Sequence, residues 1–174
     1  QPYRSFDVYN LGRYERQWWQ KDRLKGADDE HRKIVLEFYR AEILPNSPSP
    51  LIHGRKAGAF VHVDKIDSIF TREEVRQVAL AVKQAGGKEV NCLAWEFEMD
   101  LRLTCDALEN ELKIKIKLIP IPREIMEKNR KDPPPFLEVA TLEAEPVYKT
   151  EKGTRTVDIK LTRFLPSLAE VPTK

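Results

Sequence analysis

A segment near the start of the chain combines basic and aromatic residues in a pattern that could bind a nucleic acid. From Arg13 to Lys25, five basic residues stand against two acidic ones, with three aromatic residues interleaved. Basic side chains neutralise phosphates, and exposed aromatic rings stack on unpaired bases. The residues of this segment that we predict to contact a nucleic acid are Arg13, Tyr14, Arg16, Trp18, Trp19, Lys21 and Arg23.

The two adjacent tryptophans leave a structural alternative open. Trp18 and Trp19 could anchor this segment to the core while its charged side chains are solvated, since aromatic residues are commonly buried. Neighbouring side chains cannot face the same way on a helix or a strand. We therefore expect one of the two tryptophans to be partly exposed or to lie in an interface.

A second basic group precedes an expected strand at residues 59–63. His53, Arg55 and Lys56 flank Gly54, and Gly58 follows. Glycine allows a backbone to approach a phosphate closely. We add His53, Arg55 and Lys56 to the predicted nucleic-acid contacts, with an ordinary exposed basic loop as the alternative.

Acidic residues two positions before a lysine raise a third possibility, a metal-dependent nuclease. Such a site needs two or three carboxylates that hold Mg²⁺ and a lysine near the attacked phosphate. Glu111 with Lys113 and Asp158 with Lys160 have this spacing, and Glu98 or Asp100 could supply another carboxylate. These spacings also arise by chance in a chain that is 33% charged. Lys113, Lys115 and Lys117 are better explained as the lysines that protect an edge strand.

Composition excludes several functional classes. The 174 residues carry a net charge of +2, so any nucleic-acid contact must come from local patches. No apolar run reaches the ~20 residues of a membrane span, and no signal peptide opens the chain. Two cysteines and three scattered histidines favour a reduced, cytoplasmic protein without a zinc site. The chain opens on Gln1, and we expect it to be a fragment of a longer polypeptide.

Periodicity predicts an α/β fold of about three parallel strands with crossover helices, followed by an antiparallel β-hairpin. Residues 1–50 contain a strand at 5–11, the basic-aromatic segment, a helix at 29–44 and a proline loop. Residues 51–132 alternate strands at 59–63, 89–95 and 112–118 with helices. One of these helices follows a capping box of Thr71 and Glu74, has apolar residues at 75, 78, 79 and 82, and ends at Gly86 and Gly87. Residues 133–166 form the hairpin, with a first arm at about 137–148 and a turn at Glu151, Lys152 and Gly153. The return arm places Val157, Ile159 and Leu161 on one face, and 167–174 form a tail.

Asp132 and the three prolines after it, with Phe136, are similar to the Asp-Pro-Pro-Tyr/Phe loop with which amino-methyltransferases hold an adenine amino group. An extra proline separates the pair from the aromatic residue. The seven glycines never form the G-x-G-x-x-G pattern of a cofactor loop. We therefore interpret residues 132–136 as a proline linker.

Three other segments resemble a known family. Phe6–Trp19 resembles the stretch that follows the catalytic domain in a group of large adenine-specific DNA methyltransferases, which are related to the modification subunits of type III restriction systems. Gly58–Asp64 and Cys92–Glu98 are similar to later segments of the same group. The resemblance covers about residues 5–25 and 52–101, and the catalytic and cofactor motifs of the group lie upstream of it.

The resemblance implies that the parent enzyme transfers a methyl group from S-adenosylmethionine to the N6 amino group of adenine in DNA, after flipping the base out of the duplex. This chain would be a non-catalytic accessory domain without a cofactor or metal of its own. Its partners would be DNA, the upstream methyltransferase domain and a restriction or helicase subunit. The alternatives are a Mg²⁺-dependent nuclease domain attached to a methyltransferase and a pure protein-interaction module.

Overall fold

A mixed sheet with helices on both faces forms the centre of the molecule, and a long hairpin follows it. The computed structural model describes residues 11–23, 28–127, 131–151 and 154–165. The helices are α1 (Leu11–Arg23), α2 (Asp28–Tyr39), α3 (Arg72–Gln84) and α4 (Leu101–Leu112), with a 3₁₀ helix at Arg123–Met126. The strands are β1 (Glu42–Ile43), β2 (Gly54–Lys56), β3 (Ala59–Val63), β4 (Glu89–Ala94), β5 (Lys115–Pro120), β6 (Thr141–Glu151) and β7 (Thr154–Leu165).

The central sheet has five strands in the order β1-β2-β3-β4-β5, rather than the three that we predicted. The parallel part, β3-β4-β5, agrees with the expected alternation of strands and helices. The short strands β1 and β2 extend it in antiparallel fashion. Their two and three residues are too few to show a periodic pattern, because a period of two needs several alternations to be visible.

Two predicted boundaries are wrong. Helix α2 ends at Tyr39 and not at Leu44, because Arg40 turns into the left-handed region at φ 57° and the chain then enters β1. Lys113 also has a positive φ, 58°, at the end of α4, so β5 starts later than residue 112. The predicted strand at 5–11 lies outside the described residues except for Leu11, which begins α1.

Both faces of the sheet are buried. Phe60, Cys92 and Leu118 pack under α3 and α4 on one side. The next residues along each strand, Val61, Leu93 and Ile119, face the opposite side with α1 and α2. Side chains alternate across a strand, so one set of strands contributes to two cores.

Helix α3 forms as the sequence predicts. Thr71 and Glu74 make the reciprocal capping box, and Val75, Val78, Ala79 and Val82 are buried at helical spacing. Gly86, with a φ of 74°, follows the end of the helix.

The predicted C-terminal hairpin is present, as an antiparallel pair of β6 and β7 in a sheet of its own. Its first arm begins at Thr141 rather than near residue 137, because Phe136 is buried with the core and Val139 donates its N–H to Leu118 O at 2.9 Å. The expected turn residues Lys152 and Gly153 and the expected tail from 167 lie outside the described residues.

Candidate functional site

Helix α1 places one of the two adjacent tryptophans in the core and the other in solvent. Trp19 is only 5% exposed and meets the rings of His31 and Trp95 edge-on at centroid distances of 6.2 and 6.3 Å. Trp18 is 62% exposed. The expectation that one tryptophan is exposed is therefore confirmed, and Trp19 is the residue that anchors the helix.

The Arg16 side chain is also buried in the core. Its guanidinium pairs with the Glu96 carboxylate at 2.5 Å and lies 5.7 Å from the centre of the Trp95 ring. The residue is buried, and removing either partner of a buried ion pair strands the other charge. Arg16 and Trp19 therefore lie on the buried side of α1 and hold the helix against the core.

Three other residues of the segment form an exposed stripe. Tyr14, Trp18 and Lys21 are exposed and stand at i, i+4 and i+7, which places them along one face of α1. This face lies opposite the one that holds Arg16 and Trp19. Arg13 and Arg23 belong to α1, but their side chains lie outside the described part of the structure.

Beside the stripe lies a groove of about 560 Å³ between α1 and the 3₁₀ helix. Its apolar lining comes from Tyr14, Trp18, Trp19 and Met126. Its charged lining residues are Glu15, Arg123, Glu124 and Glu127, of which Arg123 is ion-paired with Glu15. The excess of negative charge repels a phosphate backbone and suits an apolar segment with basic residues beside it.

The second predicted group, around residues 53–56, is a strand rather than a basic loop. The His53 ring accepts the Val63 N–H at Nδ1 at 2.9 Å and lies 5.0 Å from the His62 ring. Burial lowers the pKa of His53 to about 3, so it stays neutral at physiological pH. His53 is thus uncharged and accepts a backbone hydrogen bond within the chain.

The two glycines of this group allow a close approach between strands and a tight turn of the backbone. A Cβ at Gly54 would lie 2.8 Å from Glu42 O, so glycine is needed for the close approach of β1. Gly58 has a φ of 88° in the turn between β2 and β3. The Arg55 guanidinium lies 5.3 Å from the Phe60 ring centre, and Lys56 Nζ lies 3.8 Å from that of Tyr39. Arg55 is exposed and Lys56 half-buried.

A buried polar cluster, which the sequence reasoning missed, closes the carboxyl end of β3. Asp64 accepts the Ser68 hydroxyl at 2.6 Å, and burial raises the pKa of its carboxyl. His62 Nδ1 lies 2.7 Å from Leu51 O, and burial lowers the His62 pKa to about 4. A small cavity of about 230 Å³ adjoins these residues. The only sequence signal was the position of Asp64 directly after a predicted strand.

The two acid–lysine pairs of the nuclease alternative lie on separate elements. Glu111 lies in helix α4 and Lys113 at its end, so the pair is not on a strand as we predicted. Asp158 is paired across the hairpin with Lys149 at 2.6 Å. Within the described ranges, no group of three or more His, Cys, Asp or Glu residues could hold a metal ion.

The lysine row is only partly on a strand. Lys115 and Lys117 lie on β5, which is the outer strand of the five in the described sheet, and Lys117 pairs with Glu89 at 2.8 Å. This position agrees with the edge-strand interpretation.

Comparisons with known proteins add no relative. No protein-family model matches the chain, and no curated protein or solved structure is significantly similar to it. Among the helices in the described ranges, none combines the length and the apolar character needed to cross a membrane.

Proposed function

We propose that this chain is a non-catalytic accessory domain of an S-adenosylmethionine-dependent, adenine-specific DNA methyltransferase of a restriction–modification system, and that it docks onto a protein partner through the groove beside α1. The family part of the proposal rests on the sequence resemblance. The docking part rests on one observation: Tyr14 and Trp18 are exposed over an apolar groove that carries three glutamates.

The way in which α1 covers the sheet supports a role without chemistry in this region. Ligands of open α/β sheets bind outside the carboxyl ends of the strands. Trp95 and Glu96 follow the carboxyl end of β4, and they are covered by Trp19 and Arg16 of α1. At the end of β4, the chain's own side chains thus fill the kind of place that an α/β enzyme uses for its substrate.

The upstream methyltransferase domain is the partner that the resemblance favours. In that arrangement α1 would be among the first elements after the catalytic domain, so its exposed face would be within reach. Exposed Trp and Tyr residues are the types that dominate the binding energy of interfaces. The S-adenosylmethionine would be bound by the upstream domain, and a restriction or helicase subunit would compete for the same kind of surface.

A direct DNA contact is the second candidate, and the stripe of Tyr14, Trp18 and Lys21 favours it. Two aromatic rings and an ammonium along one helix face could stack on bases and contact a phosphate. Arg55, Lys56 and the arginines at 13 and 23 remain candidate DNA contacts. The glutamates of the groove weigh against this function, because they repel phosphates.

The two candidates are separated by binding of this chain to a labelled duplex and a labelled single strand, at low and at moderate salt. The docking proposal predicts negligible binding even at low salt. Binding that falls steeply with salt and weakens about 5- to 150-fold with Trp18→Ala on the single strand would instead support DNA contact, because base stacking on an aromatic ring contributes about 1–3 kcal/mol.

The docking proposal has its own test. The reading frame upstream of Gln1 should encode an adenine-methyltransferase domain, which can be produced as a separate chain and titrated with this one in a calorimeter. We expect binding that Trp18→Ala weakens about thirtyfold or more, as at an interface hot spot. Met99→Ala is the control, because Met99 is an exposed apolar side chain outside the groove. Equal affinity of the wild type and Trp18→Ala would exclude the groove as the docking site.

A further inference from the structure

The hairpin of β6 and β7 carries an uninterrupted apolar face. Residues directly opposite each other on two paired strands point to the same side. The register defines four apolar rows on one side, which start at the base of the hairpin and end before the Thr150–Arg155 row near its tip. These rows are Leu142–Phe164, Ala144–Leu161, Pro146–Ile159 and Tyr148–Val157. All eight residues are exposed, and the six large ones keep between 53% and 77% of their surface accessible.

The opposite face of the hairpin is polar and turns towards the chain's own domain. Arg163 pairs with Glu143 across the two strands at 3.3 Å and reaches Asp106 of helix α4 at 2.9 Å. Glu145, Lys160, Lys149 and Asp158 continue this side. The hairpin therefore meets its own body through charged groups and leaves its apolar face outward, away from the core that could bury it.

An exposed apolar surface of this kind is unusual for a monomeric protein. A two-stranded hairpin is marginally stable by itself, and contiguous apolar patches beyond a few hundred Å² mark interaction sites. An aromatic side chain has about 150–250 Å² of surface and an aliphatic one somewhat less, so the six, each more than half exposed, present roughly 700 Å². This is close to the ~800 Å² that each partner buries in a stable protein–protein interface.

We propose that this face is covered by the same face of a second copy of the chain, so that two hairpins pack into a four-stranded sandwich. The inference goes beyond the proposed docking groove and does not depend on it. These four rows contain no charged group that would require a charged partner, and their size is what a stable dimer needs.

The distribution of large and small residues indicates how the copies pack. A two-fold axis parallel to the strands places β6 of one copy over β7 of the other. Leu161 then packs over Ala144 and Ile159 over Pro146, so that in the two middle rows a bulky side chain meets a small one. The same axis places the two bodies on opposite sides of the sandwich, because each body lies on the polar side of its hairpin.

The mass in solution tests the proposal. We expect sedimentation equilibrium to give twice the chain mass at micromolar concentration. Ile159→Lys should weaken the dimer about a hundredfold, since it places a charge in the apolar face of both copies. Lys160→Gln is the matched control, because Lys160 is the next residue of β7 and belongs to the polar face. A monomeric wild type, or a dimer that Ile159→Lys leaves intact, would overturn the proposal.

Two further measurements keep the result interpretable. Far-UV circular dichroism of the Ile159→Lys variant should match the wild type, which separates loss of the dimer from loss of the fold. A mixture of Leu161→Cys chains and Ala144→Cys chains should form a disulfide-linked pair of the two variants on oxidation. The native Cys92 and Cys105 are buried and should not interfere. Disulfides within each variant alone, without the mixed pair, would contradict the stated packing.

Discussion

At the scale of single residues, a buried aromatic and charged group around Trp95 fixes how α1 meets the rest of the chain. The Trp95 indole donates its N–H to His31 Nε2 at 3.0 Å, so this nitrogen must be unprotonated. Trp19 contacts both rings, and Arg16 lies over Trp95 while it pairs with Glu96. Because these side chains face inward, Trp18 and Tyr14 are held outward.

Two buried histidines should make the folded chain less stable at acid pH. Burial lowers the pKa of His31 and of His62 to about 4. Between about pH 6.5 and pH 4 the unfolded chain therefore binds more protons than the folded one, and stability falls as the pH falls. From about pH 7.5 to pH 5, each of these two histidines should remove about 2 kcal/mol from the free energy of unfolding.

Urea unfolding at both pH values measures this loss, and His31→Gln serves as the comparison. Gln does not titrate, so the variant should show a smaller drop on acidification whatever its stability at neutral pH. Asp64, whose pKa is raised by burial, contributes with the opposite sign, and the comparison isolates the histidine contribution. A free energy of unfolding that is unchanged or higher at the acid pH would refute the prediction.

At the scale of elements, local signals and packing agree most closely in α3. The helix starts at a capping box, in which the Thr71 hydroxyl accepts the Glu74 N–H while the Glu74 carboxylate accepts the Thr71 N–H at 2.8 Å. Its buried residues pack against the sheet face that holds Phe60 and Cys92. The helix connects β3 to β4, so its position sets the crossover between these parallel strands.

Removal of this cap should destabilise the whole domain by a measurable amount. Thr71→Ala leaves a backbone N–H of the first turn without its acceptor, and we expect the free energy of unfolding to fall by about 0.5–2 kcal/mol. Denaturant titration measures the change. Thr71→Ser keeps the hydroxyl and should recover most of the loss. Equal stability of the Ala and Ser variants would show that the capping box does not stabilise the helix.

At the scale of the molecule, apolar cores stabilise the sheet domain, whereas polar contacts attach the hairpin to it. The domain has two cores, one on each face of the sheet. Phe136, just before the hairpin, is buried with the second core and lies 5.0 Å from the Tyr39 ring centre. Beyond it, the hairpin reaches the domain through polar contacts such as Arg163 with Asp106.

The sheet domain should therefore fold without the hairpin. A chain that ends at Ala140 keeps Phe136 and the contact of Val139 with Leu118, and it should melt cooperatively near the temperature of the intact chain when both are measured at low protein concentration. A chain that ends at Asp132 loses Phe136, which should cost about 3–5 kcal/mol. Unfolding of the Ala140 chain at ambient temperature would mean that the hairpin is needed for the core.

Sequence patterns located elements more reliably than functional contacts. The capping box and valine spacing of α3, the strand at 59–63 and the C-terminal hairpin follow from residues that are near each other in sequence, where period and turn chemistry are visible. In the candidate site, composition identified the basic-aromatic segment. The adjacency of Trp18 and Trp19 predicted that their side chains face different directions and that one of them is exposed. The composition could not show which basic side chains of the segment are accessible to a ligand, since the partner of Arg16 is 80 residues away.

By itself, the sequence determined the parallel β-α-β order, the helix α3 with its ends, and the existence of an apolar side on β7. Each depends on local geometry, in which a side chain's direction repeats along its own element. Only the tertiary structure decided that β1 and β2 join the sheet, that Trp19 is buried and Trp18 exposed, that His53 is neutral, and that the apolar side of the hairpin faces outward. These outcomes depend on which distant surfaces meet and on the desolvation that follows, and neither quantity is written in a local pattern.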